Sequence, residues 1–168
     1  MQDHVLLFAV LFFGMPFALA FLKAFLRPQG LGRARKKLPR AFRAYNPYVI
    51  DGDTLSADGV RIRLAGIDAP ERGQAQGHHS TSHLKGLLRD KDVKIIPLEY
   101  DKYGRIVAKC VCNGNDICRQ MVVDGYAVSD NFTKKYSAEM RRAKRKRSGL
   151  WAQGKIQDPR AFRKSIPA

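Results

Sequence analysis

The chain has 168 residues, enough for one domain of ordinary size with a short extension, and a hydrophobic content of 45% excludes a chain disordered throughout. Lys and Arg number 31 against 15 Asp and Glu, a formal charge of +16 that points to nucleic acid, an anionic membrane surface, or both as partners. Three cysteines, Cys110, Cys112 and Cys118, are too few and too clustered for a disulfide framework, and no second ligand pair stands at zinc spacing.

In chain order, the first element is apolar. Val5 to Leu22 carries no charge, long enough for a bilayer-spanning helix, and Gly14 and Pro16 are tolerated in such a helix. The segment 1–26 therefore reads as a transmembrane anchor. The alternative is a secretory signal peptide, because Ala18-Leu19-Ala20 has the form of a cleavage site. The residues before the run, Met-Gln-Asp-His, lack the positive charge that a signal peptide carries. Residues 23–43 hold eight Lys or Arg and no acid. By the positive-inside rule this basic linker, 27–44, puts a single-pass protein's carboxyl-terminal domain on the cytoplasmic side. The same stretch suits acidic headgroups. A chain cleaved and secreted, or facing outward, is the other arrangement.

From Tyr48 the pattern changes to short strands and tight turns. Tyr48 to Ile50 reads as a strand. Thr54–Ala57 and Val60–Gly66 flank Asp58-Gly59, a two-residue hairpin signal. Gln76 to Leu88 reads as a helix with Leu84, Leu87 and Leu88 inward. Val93–Leu98 and Arg105–Val111 read as strands, with Cys110 and Cys112 on one face. Asn113-Gly114 is a second turn, and Asp116 caps a short helix to Val123. Ser137 to Arg147 is a third helix, stopped at Ser148-Gly149. Strands with helices inserted among them fit a small α+β barrel.

Three clusters mix acids with arginines beside strand ends: Ile50-Asp51-Gly52-Asp53-Thr54, the run from Val60 to Glu71, and Asp101-Lys102-Tyr103-Gly104-Arg105. Each taken singly has an ordinary reading as a turn or an exposed strand. In this order, and followed by Gly125-Tyr126-Ala127 and a basic helix ending in Gly149-Leu150-Trp151, they resemble the staphylococcal nuclease (thermonuclease) family. The resemblance covers about residues 45–151.

The resemblance implies an OB-fold five-stranded β-barrel with about three helices over residues 45–155, leaving 156–168 as a tail, and a groove that binds DNA, RNA or both. It implies a Ca²⁺ site made of Asp53, Asp68 and the backbone carbonyl of Ala69, where the family has Thr. It implies catalysis by Glu71, which orients or deprotonates water, and by Arg63 and Arg105 on the scissile phosphate. Lys102 and Tyr103 correspond to contacts with a neighbouring phosphate. Family precedent gives products with a 3′-phosphate and a 5′-hydroxyl. Two family tyrosines that touch the nucleotide fall near Asn131 and Thr133, leaving Phe132 or Tyr136 to stand in.

The densest basic run, including Lys134, Lys135, Arg141 and Arg142, reads as a contact for nucleic-acid backbone, with acidic lipid as the competitor. His79 and His83 share a helix face at chelating spacing, but no Glu follows the first His as in a zinc protease, and they read as solvated. Trp151 reads as a core plug. Two functions compete: an endonuclease with little sequence preference, and a catalytically weak OB module that only binds nucleic acid at the membrane. The presence of Asp53, Arg63, Asp68, Glu71 and Arg105 together favours the enzyme. Nothing in the sequence asks for a protein partner.

Overall fold

The computed structural model describes residues 37–165, and the chain divides into two units at Lys37. The first strands are β1 (Phe42–Tyr45), β2 (Tyr48–Val49), β3 (Thr54–Ala57), β4 (Val60–Leu64) and β5 (Ile67–Asp68). Helix α1 (Gly77–Leu88) precedes the long strands β6 (Asp92–Tyr100) and β7 (Ile106–Cys112). There follow β8 (Asn115–Asp116), α2 (Ile117–Val123), β9 (Val128–Ser129), α3 (Ser137–Lys146), a 3₁₀ turn (Gly149–Gln153) and α4 (Pro159–Ser165).

The main sheet runs β1-β6-β7-β4-β3-β2, with β8 on β7, while β5 and β9 pair separately. All pairs are antiparallel except β4 with β7. The two ends of the path, β1 and β2, are separated in sequence only by Asn46 and Pro47, so the sheet curls back on itself into a half-barrel. Asn46 takes φ 45° and Pro47 has no N–H to donate, which breaks one continuous strand into two. The α+β class is as expected, and the curled sheet is consistent with an OB-type fold.

Three details depart from expectation. The main sheet has seven strands among the described residues, not five, because β1 and the short β8 extend it. Four helices are present among the described residues, not about three; the addition is α4, in the segment expected to be a tail. The sheet also starts at Phe42, inside the segment read as linker. Among the described residues no helix is long and apolar enough to cross a membrane. The anchor expected at 1–26 lies outside the described residues.

Period-two alternation builds the core. Along β7 Ile106, Ala108, Cys110 and Cys112 point inward, and the residues between them are half exposed. Leu55, Ile62, Leu64, Ile67, Leu84, Leu88, Val93 and Ile95 are each less than 2% exposed, and each contributes about 1.5–3 kcal/mol of burial. Surface ion pairs such as Arg43–Asp92 contribute at most about 1 kcal/mol each, so the barrel core sets stability. Trp151, with Ala143, Leu150 and Ile156, forms a second small apolar cluster, as expected of a plug.

Candidate active site

Strand register assembles the site. In the β3–β4 hairpin Thr54 pairs with Arg63, which sets Asp53 beside that arginine. In the parallel β4–β7 pair Ile62 faces Ile106, which brings Arg105, one residue before β7, to the same sheet end. Asp68 sits at the end of β5, held to β9 opposite Val128. Glu71 lies in the loop before α1. This loop passes so close to the helix start that a Cβ on Gly77 would lie 1.9 Å from the Glu71 carbonyl oxygen, so only glycine fits there.

The Arg63 guanidinium bridges two buried carboxylates. Its Nη1 donates to Asp53 Oδ2 at 2.7 Å, and its Nη2 donates to Asp68 Oδ1 at 2.5 Å and to the Ile67 carbonyl at 3.0 Å. Asp53 also accepts from Thr54 Oγ1 at 2.9 Å and from the Ala69 N–H at 3.2 Å. Burial alone would lower the Arg63 pKa, but Asp53 and Asp68 outweigh it and hold the guanidinium above its ordinary value. Burial, then the Asp53 charge, raises the Asp51 carboxyl, whose Oδ1 accepts the Asp53 N–H at 3.0 Å.

Arg105 is fixed from its own turn: Nε donates to Asp101 Oδ2 at 2.7 Å, and the N–H groups of Tyr103 and Arg105 both reach Asp101 Oδ1 at 2.9 Å. Burial raises Asp101, but the bonds from Arg105 overcome this and leave it below the usual carboxylate range. Exposed Tyr103 has the Lys102 ammonium 4.8 Å from its ring centre.

Asp53, Arg63, Asp68, Glu71, Lys102, Tyr103 and Arg105 all line one cleft of about 880 Å³. Lys134, Lys135, Arg141 and Arg142 are exposed but do not line it, although Thr133, next to Lys134, does. Arg142 instead borders a separate depression with Arg119 and Glu139. Phe132, 78% exposed, faces the cleft, whereas Tyr136 is buried with its hydroxyl donating to Asp116 Oδ2 at 3.0 Å. Of the two candidate stand-ins for a base contact, only Phe132 is placed for it. His83 is stacked on Tyr126 and bonded to Asp124 at 2.8 Å, which removes it from any shared histidine site.

The donor chemistry fits a hard divalent cation. Two carboxylates less than about a tenth exposed converge on a single positive group. No group of three His, Cys, Asp or Glu side chains suitable for a metal occurs among the described residues. Calcium accepts carboxylates, carbonyls and waters; Ala69 follows Asp68 in sequence, and it is its N–H that bonds Asp53.

Four basic groups in the cleft were not among the expected site residues: Arg61, Arg160, Arg163 and Lys164. Arg163 Nη2 donates to Asp68 Oδ1 at 3.1 Å and its Nη1 to Glu71 Oε1. Asp158-Pro159 was a visible helix start, with Pro at the first position, but nothing local showed where that helix docks.

The family model described as staphylococcal nuclease homologue matches residues 61–153. A probable staphylococcal-like nuclease of Oryza sativa subsp. japonica is 36% identical over 115 residues, 67% of this chain and 30% of that protein. A probable endonuclease of Vanderwaltozyma polyspora is 33% identical over 163 residues, 82% of this chain and 58% of the relative. A micrococcal nuclease of Shigella flexneri is 32% identical over 142 residues, 74% of this chain and 82% of the relative. The chain thus spans about a third of the Oryza protein and somewhat over half of the Vanderwaltozyma one, but most of the Shigella one. With more than half of its length matched, the chain belongs to the family of staphylococcal nuclease homologues.

Proposed function

We propose that this chain is a calcium-dependent endonuclease that hydrolyses phosphodiester bonds of DNA, RNA or both, with little sequence preference, and is tethered to a membrane. The observation that carries the reading is the shared cleft: Asp53, Arg63, Asp68, Glu71 and Arg105, scattered along the chain, line one wall system. Relatives named as nucleases support it.

Asp53 and Asp68, with the Ala69 carbonyl, would hold Ca²⁺, which when bound draws charge from the phosphate oxygens. Glu71 accepts a proton from the attacking water. The water oxygen bonds to phosphorus, the P–O5′ bond breaks, and O5′ takes up a proton from solvent. A 3′-phosphate and a 5′-hydroxyl result. Charge grows on the phosphate during attack, and it is stabilised by the planar donors of Arg105, held through its Nε by Asp101, and of Arg63, whose Nη1 and Nη2 bond Asp53 and Asp68 here and must turn from them to reach it. The groups in the cleft address phosphate and sugar rather than base edges, so sequence is read weakly.

The test is digestion of single-stranded DNA by the purified full chain. Cleavage with Ca²⁺ that stops on chelation is expected. Cleavage indifferent to the chelator contradicts the metal assignment. Membrane tethering rests on the uncharged run Val5–Leu22 and the basic stretch after it, with the nuclease domain on the cytoplasmic side.

A further inference from the structure

Helix α4 lies beyond residues 61–153, the segment matched by the nuclease family. It still reaches the cleft. Pro159 is buried, and Phe162 packs against the loop that carries Glu71, close enough that a Cβ on Gly73 would lie 3.3 Å from Phe162 Cζ. Gln74 Nε2 in that loop donates to the Gln157 carbonyl at 3.3 Å. The Arg160 guanidinium lies 4.5 Å from the Phe132 ring centre. The helix and the Glu71 loop therefore dock as one piece.

Resting on the nuclease reading, we propose that Arg163 is a positioning residue for the reaction: its guanidinium fork spans Glu71 and Asp68 and fixes the water-activating carboxylate relative to the cation site. Glu71 sits on a loop, and its only side-chain bond among the described residues is this one. Without it, a half-exposed glutamate samples many rotamers, and a general base must be held to within a few tenths of an ångström.

A blocking role would leave a different pattern. Both arms of the fork land on a single oxygen of each carboxylate, Glu71 Oε1 and Asp68 Oδ1. The other oxygens, Glu71 Oε2 and Asp68 Oδ2, accept no bond among the described residues and stay open to water and cation. A latch would cover them. The Arg63 donor shares Asp68 Oδ1 with Arg163, so the two arginines clamp one oxygen and leave its partner.

The test compares the full chain with its Arg163→Ala and Arg163→Lys variants. Digestion of a single-stranded oligonucleotide gives kcat and KM, and calorimetric titration with Ca²⁺ alone gives metal affinity. Arg163→Ala is expected to lower kcat about 10- to 100-fold with KM and Ca²⁺ affinity little changed. Lysine, which keeps the charge but not the fork, recovers only part of the rate. Added guanidinium ion restores part of the Arg163→Ala rate, which a purely structural loss would not allow. An Arg163→Ala protein as active as the parent, or more active, overturns the proposal, as does a large gain in Ca²⁺ affinity. A parent chain that binds Ca²⁺ but does not cut sinks the nuclease reading itself, and this inference with it.

Discussion

Asp68 Oδ1 receives two guanidinium donors, Arg63 Nη2 at 2.5 Å and Arg163 Nη2 at 3.1 Å, and these two arginines differ in how far sequence revealed them. Arg63 sits in an alternating strand between Ile62 and Leu64, so its direction away from the core follows from the period of the strand, and the family resemblance that runs through Asp68 and Glu71 is what suggests a role for it. Arg163 bonds to a glutamate 92 residues away, and no local pattern distinguishes it from the other arginines of a strongly basic chain. The roles given to Arg63, Arg105 and Glu71 make a direct prediction. Arg63→Lys, Arg105→Lys and Glu71→Gln each lower kcat on the order of 100-fold while thermal unfolding shows an intact domain. Lysine lacks the planar fork, and glutamine cannot accept the proton. Near-parental rates in Arg105→Lys would remove Arg105 from the phosphate.

Turns and caps were the most legible elements. Asp58-Gly59 and Asn113-Gly114 close hairpins with Ala57 opposite Val60 and Cys112 opposite Asn115, and Asp116 accepts the Arg119 N–H at 3.2 Å as a helix cap. The two-residue strands β5 and β9 carry no periodic signal and exist because they face each other. Helix α4 escaped for the same reason: Phe162 is its single large apolar side chain, too little to show a buried face in sequence. The β6–β7 turn links element to site, because Asp101 binds both the backbone and the side chain of Arg105. Its carboxyl pKa lies below the ordinary 3.8 in the folded chain, so its stabilisation is complete above that value and is lost as pH falls through the lower, folded one. Asp101→Asn should therefore unfold at a lower temperature than the parent at pH 7, by a stability difference of about 1 kcal/mol. The gap should close in acid. A constant gap across pH would show that the ion pair is not its source.

For the whole molecule, charge and fold point the same way. The second unit is basic in its own right: residues 38–168 carry 25 Lys or Arg against 14 acids, and seven of those acids line the cleft. A basic surface attracts a polyanion along its backbone, while the cleft lining sets seven acids beside seven Lys or Arg. Removing residues 1–26 should move the protein from the membrane fraction to the supernatant, and a full chain already in the supernatant contradicts the tether. The central claim is that Asp53 and Asp68 serve one ion. Calorimetric titration of the full chain with Ca²⁺ tests it most directly. One bound Ca²⁺ per chain, lost in both Asp53→Asn and Asp68→Asn, is the predicted result; Ca²⁺ binding that survives both substitutions would contradict it.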